Sequence, residues 1–419
     1  MRNIYCLLSL LFIFPLKIHS AIDPEEPLAK LWRVRNSDLL QYLAIETNLT
    51  IADRTLQLLI EDYSSRVGGT YVDVLNNKIY VQYLDRQMIG IIKNSSEIQP
   101  YINLINFEPV RRSLATLKSS FNEIKNLAYQ IRPQDIRSFI DIRNNQIEVR
   151  YRTKLGNNVD FFASIGKFNP RFVKANSPST NCAPAPNKRQ SQVLERRNII
   201  SQILCGDGIF NVDSNKGCSL GFYASYKSDE NLNVIVTAGH CFDRTIENDP
   251  QLFYYRPWNE NTGKRIGLMT KNFSIPYDYG LINITDNKGI IIPAIRNTDH
   301  QYNELIIEGG RILSSIGVHI CKSGWGSHVI CAYVIGFGGF HVDIESNILE
   351  DFIVADNSGL FACKGDSGAP TFSYLEDLQK VTLNGIISGG FDTLVNIVPL
   401  DIILKEAGLD LIKANSLIV

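Results

Sequence analysis

The chain carries almost no surplus of charge: 42 Lys and Arg stand against 43 Asp and Glu in 419 residues, a formal net charge of -1. So even a balance gives no electrostatic hold on nucleic acid or an anionic membrane, and neither is expected as a partner. Long apolar runs are scarce as well. Past residue 20 nothing approaches the roughly 20 apolar residues that span a bilayer. The early run Ile4 to Leu16 follows Arg2, is short, is broken by Pro15, and leads to Ser20 before Ala21. It reads as a secretory signal peptide over residues 1–20 rather than an anchor, so a soluble, extracellular mature chain is expected. Clusters with metal-ligand spacing, such as Cys-x-x-Cys with paired histidines, are missing, and neither metal nor cofactor is expected. Cysteine is sparse and unevenly placed: of eight, Cys6 lies in the leader and Cys182 in a loop-like stretch. Cys205, Cys218, Cys241, Cys321, Cys331 and Cys363 fall in the C-terminal half, where export makes disulfides plausible.

What is present divides the chain in two. Val72-Asp73-Val74-Leu75-Asn76-Asn77-Lys78-Ile79-Tyr80-Val81-Gln82-Tyr83 returns as Ile140-Asp141-Ile142-Arg143-Asn144-Asn145-Gln146-Ile147-Glu148-Val149-Arg150-Tyr151. Each copy alternates apolar and polar residues around an Asn-Asn pair. Asparagine tolerates positive φ, so each copy predicts a β-hairpin. A helical pattern precedes each, Ile51 to Ser65 and Leu114 to Ile131, with Pro133 ending the second. Residues 21–180 are therefore expected to be an α+β region of tandem helix-plus-hairpin units, about 51–83 and 114–151. Read from the residues alone, this could be a separate binding module. Residues 181–200 change character, with Pro184-Ala185-Pro186 followed by the basic pairs Lys188-Arg189 and Arg196-Arg197, and read as an exposed linker open to processing. Beyond it short strands dominate, among them Leu232 to Thr237, Gly280 to Ile284, Val329 to Phe337 and Val381 to Ile387, with a helical segment near Leu400 to Ala407.

Two strings in this second half carry chemistry, Thr237-Ala238-Gly239-His240-Cys241 and Gly365-Asp366-Ser367-Gly368-Ala369-Pro370. A serine hydroxyl needs an imidazole to take its proton and an acid to orient that imidazole. Asp278, opening the apolar run Asp278-Tyr279-Gly280-Leu281-Ile282, supplies the third group, so the candidates are His240, Asp278 and Ser367 in that order. An α/β-hydrolase elbow runs Ser, Asp, His and carries glycine where Ala369 stands, which excludes that esterase class.

These motifs resemble chymotrypsin-like serine proteases. Gly217-Cys218-Ser219-Leu220-Gly221-Phe222, Cys321-Lys322-Ser323-Gly324 closing at Cys331, and Ser388-Gly389-Gly390 resemble the streptogrisin and α-lytic protease branch, over most of residues 205–400. The resemblance implies an all-β protease domain over 201–419, built of two six-stranded antiparallel barrels, monomeric and acting on protein or peptide substrates. It implies general-base, orienting and nucleophilic roles for His240, Asp278 and Ser367, and an oxyanion hole from the Gly365 and Ser367 amides. Asp366 would pair with an internal arginine, and Ser388, Gly389 and Gly390 would pair with substrate. Disulfides Cys218 to Cys241 and Cys321 to Cys331 are implied, which leaves Cys205 and Cys363 to pair by elimination. Phe361 matches the pocket floor and Lys364 its rim, so specificity is expected for small or apolar residues, or for acidic ones if Lys364 dominates. His300, His319, His328 and His341 are expected on the surface or in loops. The N-terminal half resembles a pro-region, an intramolecular chaperone and inhibitor of its own protease. The competing class is a protease-like secreted binding protein that has lost catalysis.

Overall fold

The structure, a computed structural model, describes residues 25–175, 203–247, 249–258, 263–285 and 291–414. The leader expected over 1–20 and the linker expected over 181–200 lie outside the described residues. The N-terminal half holds two units of like build. The first comprises α1 (Pro27–Trp32), α2 (Leu39–Ile60), β1 (Val67–Asp73), β2 (Lys78–Tyr83), α3 (Gln87–Asn94) and β3 (Ile105–Pro109). The second comprises α4 (Leu114–Ile131), β4 (Ile136–Asp141), β5 (Gln146–Tyr151), α5 (Asn157–Ile165) and β6 (Arg171–Lys174).

In each unit an antiparallel hairpin is followed by a strand that pairs parallel with its second member. A parallel neighbour requires a crossover, which α3 and α5 provide. The repeat is thus longer than a helix plus a hairpin. Its turns match atom for atom: Asn76 donates its N–H and side-chain amide to Asp73 at 3.1 and 2.9 Å, and Asn144 does the same to Asp141 at 3.1 and 2.7 Å. Asn77 and Asn145 both sit at φ 50°, the left-handed region that asparagine tolerates. The helix α4 starts at Ser113, whose hydroxyl accepts the Thr116 N–H at 3.1 Å, and buries Leu117, Phe121, Ile124 and Ala128 along one face.

The C-terminal half adds β7 (Gly208–Asn211), β8 (Lys216–Ser219), β9 (Phe222–Tyr226), β10 (Asp229–Thr237), β11 (Gln251–Arg256), β12 (Arg265–Phe273), β13 (Tyr279–Ile284), β14 (Ala294–Arg296) and β15 (Glu304–Gly310). It continues with β16 (His319–Gly324), β17 (His328–Val342), β18 (Ile348–Asp356), β19 (Pro370–Tyr374), β20 (Lys380–Phe391), β21 (Leu394–Pro399), α6 (Leu400–Ala407) and β22 (Leu409–Leu411). One sheet is eight strands in the order β22-β9-β10-β13-β12-β11-β7-β8. The other has eleven, in the order β14-β15-β20-β19-β16-β17-β4-β5-β6, with β18 pairing β17 and β21, and β21 pairing β20. The expected count of six strands in each is exceeded: β22 extends the first sheet at β9 and leaves seven others, while β4, β5 and β6 extend the second at β17 and leave eight.

That last junction joins the halves. Phe340, His341 and Val342 of β17 pair antiparallel with Ser138, Arg137 and Ile136 of β4. Phe340, Val342 and Ile348 then fill the same core as Leu117, Phe121, Ile124, Ile147 and Val149. Each such side chain contributes about 1.5–3 kcal/mol when fully buried, so the second unit's core is completed by the C-terminal half. The first unit likewise shares apolar cores with the C-terminal half, Leu28 and Trp32 with Phe372 and Tyr374, and Tyr71 with Ile316 and Val318, and adds polar contacts. The Val72 N–H donates to Ile316 O at 2.8 Å, and the Ser315 hydroxyl to Asp53 at 2.6 Å. Glu46 accepts the His319 N–H at 2.7 Å and bonds the His319 ring at Nδ1.

Candidate active site

His240 lies just past β10, in a turn that glycine makes possible. A Cβ on Gly239 would stand 1.8 Å from Phe273 O. A disulfide from Cys218 to Cys241 ties the turn to β8, and the Thr237 hydroxyl donates to Ser219 O at 2.8 Å. Asp278 precedes β13 and is 2% exposed. Its Oδ1 accepts the His240 N–H at 2.9 Å, and its Oδ2 lies 2.7 Å from His240 Nδ1. An ionised carboxylate only accepts, so Nδ1 carries the proton and Nε2 presents a lone pair. Nε2 stands 2.8 Å from Ser367 Oγ. His240, Asp278 and Ser367 therefore form one hydrogen-bonded chain, with His240 exposed and Ser367 half-buried.

The electrostatics follow from this geometry. Desolvation lowers the His240 pKa, but the charge and hydrogen bond of Asp278 outweigh it, and the imidazole stays protonated to a higher pH than usual. For Asp278 burial raises the pKa, while His240 and the Ser388 hydroxyl, which donates to Oδ2 at 2.8 Å, lower it to a net position below the usual carboxylate range. The Ser388 side chain thus holds Asp278.

The loop around Ser367 is pinned on both sides. The Ser219 hydroxyl donates to Gly365 O at 2.7 Å and the Ser219 N–H to Ser367 O at 2.8 Å. The Ala369 N–H occupies Asp366 O at 2.9 Å, and a trans peptide turns the Ser367 N–H the opposite way. Gly365 sits at φ 100°, a region closed to most side chains. Asp366, 0% exposed, pairs at 2.8 Å with Lys322 Nζ, itself 0% exposed. The expected internal arginine is therefore a lysine, one residue past Cys321, whose disulfide with Cys331 is formed.

The other expected residues spread out. Phe361 is 1% exposed and packs with Ala369, Ile387, Val395 and Ile397, so its ring belongs to the core. Lys364 is exposed. Gly389 and Gly390 lie at the end of β20, and their carbonyls accept from Arg137 of β4. Two expectations are corrected. Cys205 is a free, buried thiol and does not pair with Cys363, which is disulfide-bonded otherwise. His319 and His328 are not surface residues: they are 2% and 7% exposed, and each bonds a carboxylate, Glu46 and Asp299 respectively. Sequence reasoning missed Lys322 as the ion-pair partner and Arg137 altogether. The one signal for Lys322 was a lone cation beside a cysteine; for Arg137, far away in the other half, there was none.

No family model and no curated protein matches the chain. Solved structures similar to it include protease A of Thermobifida fusca, at 19% identity over 51% of this chain and 100% of that one, with a TM-score of 0.39. A chymotrypsin of Cellulomonas bogoriensis is similar at 18% identity over 51% of this chain and 100% of its own, with a TM-score of 0.39. The α-lytic protease homolog N4 covers 50% of this chain and 98% of its own at 18% identity, with a TM-score of 0.37.

Proposed function

We propose that the chain is a secreted serine endopeptidase made as a preproenzyme, with residues 1–20 a leader, 21–180 a pro-region, 181–200 a processing linker and 201–419 the catalytic domain. The observation that carries this reading is the chain of contacts from Asp278 through His240 to Ser367 at 2.7 and 2.8 Å. Ser367 Oγ attacks the scissile carbonyl as its proton passes to His240 Nε2, and the carboxylate of Asp278 stabilises the imidazolium that forms. The amides of Gly365 and Ser367 take the oxyanion, an interaction worth about 3–4 kcal/mol per donor. His240 then returns its proton to the leaving amine. Water, activated by the same imidazole, releases the acyl group from Ser367.

Substrate backbone would lie along Ser388, Gly389 and Gly390, in the manner of a strand added to a sheet edge. The contact of Arg137 with the Gly389 and Gly390 carbonyls, at 3.3 and 3.2 Å, supports an inhibitory role for the N-terminal half. The shared core at β17 supports an assembly role, because non-local strand pairings fold slowly and a preformed neighbouring strand reduces their cost. The test is labelling of the processed protein by a fluorophosphonate, with Ser367→Ala as control. Labelling and peptide hydrolysis that both vanish in the variant support the reading. A processed protein that folds yet neither labels nor hydrolyses any peptide would make it a binding protein instead.

A further inference from the structure

We propose that Glu350 sets substrate specificity, its carboxylate taking a basic side chain from the segment ahead of the scissile bond once the N-terminal half has left. The inference deepens the peptidase reading above and rests on it. Glu350 lies in β18, and its N–H donates to Pro276 O at 3.0 Å. Its neighbour Asp351 accepts the Tyr277 hydroxyl at 3.2 Å. Pro276 and Tyr277 run directly into Asp278, whose Oδ2 accepts the Ser388 hydroxyl of β20 at 2.8 Å. One short segment, 276–278, therefore touches both Glu350 and the strand proposed to hold substrate.

In the uncut chain this site already holds a cation. Lys125 Nζ lies 2.5 Å from Glu350 Oε2, and both side chains are mostly withdrawn from water. The Tyr129 hydroxyl donates to Oε1 of the same carboxylate, and Arg132 donates to Ser346 O at 3.3 Å. Lys125 and Tyr129 stand four residues apart on α4, which places them on one face of the helix. Arg132 caps the end of that helix, so all three groups leave with the N-terminal half.

Their departure leaves negative charge behind. Burial, then the charges of Asp351, Glu406 and Glu350, push the Tyr277 hydroxyl up, so these carboxylates share the surface ahead of Asp278. A carboxylate mostly withdrawn from water that has lost its ammonium is stabilised by a new one. Just before Pro276 stand Phe273 and Ile275, both exposed. A lysine or arginine can lay its methylene stem on such apolar surface and carry its charge on to Glu350. A glutamate in the same place would meet like charge and be rejected.

The experiment is kcat/KM of the processed protein, separated from its N-terminal half, on peptides carrying Lys, Gln or Glu in turn at the second to fifth residues before the scissile bond. At one of these positions the wild type should favour Lys over Gln by roughly tenfold, the low end for a hydrogen bond to a charged group, and Glu should be poorest. Added salt should shrink the difference. Glu350→Gln should erase the preference. Glu350→Lys, made together with Lys125→Glu so that the pair with α4 persists during folding, should reverse it toward Glu; this arm decides the matter if the glutamine variant does not fold. Equal rates for the three peptides at every position, or a lysine preference that persists in either folded variant, would overturn the proposal. A processed protein that cuts no peptide would overturn the peptidase reading instead, and the affinities of the same peptides for it, read by fluorescence anisotropy, then decide whether Glu350 holds a basic side chain.

Discussion

The Arg137 guanidinium lies 3.2 Å from the main-chain oxygen of Gly390, the exposed residue near the end of β20. The arginine is 4% exposed, and its charge lies over the Phe391 ring at 4.9 Å, beside Arg152 at 4.4 Å from the same ring. A peptide lying along β20 would compete with Arg137 for these carbonyls. The contact reaches from one half of the chain to the strand proposed to hold substrate in the other.

Arg137→Ala in the full chain should release peptide hydrolysis before the linker is cut. Hydrogen bonds to a charged group are worth about 1.5–3 kcal/mol each, so loss of both should weaken inhibition by at least roughly 100-fold. The rate of peptide hydrolysis by uncut protein measures this. Equal rates in the variant and the parent would place inhibition elsewhere.

Activity should rise with pH as His240 loses its proton. Because Asp278 raises the His240 pKa above that of free imidazole, the midpoint of kcat/KM should lie above about 6.5. Below it the imidazolium cannot accept the Ser367 proton. A midpoint below that value, in a profile taken on the processed enzyme, would contradict the pairing.

Asp278→Asn should lower kcat by about 10⁴, since an amide can leave Nδ1 without its acceptor and so invert the tautomer. Ser388→Ala removes one hydrogen bond to the same carboxylate and should cost far less, about 1 kcal/mol or fivefold. The ratio of the two effects on kcat is the measurement. Comparable losses would mean that Ser388 does more than support Asp278.

Glu46→Ala should loosen the first N-terminal unit. The change strips the His319 N–H and ring of their acceptor inside a buried site, where each unsatisfied group costs about 1–3 kcal/mol. His319 Nε2 already accepts the Tyr374 N–H at 2.9 Å, so the ring cannot turn to a new partner without breaking that bond. Urea unfolding of the full chain should show the loss. A midpoint unchanged within error would mean that the unit is held by other contacts.

Local patterns were legible where a few neighbouring residues carry the constraint. The two Asn-Asn turns appear in the sequence because positive φ at Asn77 and Asn145 is a property of a single residue. The Leu114–Ile131 helix appears because its buried face recurs at helical spacing. The parallel strands β3 and β6 were not legible, since short segments such as Arg171–Lys174 have no period long enough to register and are specified by the strand they join.

By itself the sequence determined which residue types stand ready for chemistry: a histidine bounded by a glycine and a cysteine, a serine between glycines, an aspartate ahead of an apolar strand. Only the tertiary structure decided how charges and edges are matched across long separations. Lys322 with Asp366, Glu46 with His319, and Arg137 with Gly389 and Gly390 are each an encounter of segments distant in the chain. A lone lysine or arginine in a sequence is equally suited to a solvated surface. What makes it a buried partner is the desolvation around it, and that depends on which strands close over the side chain, a property of the whole fold.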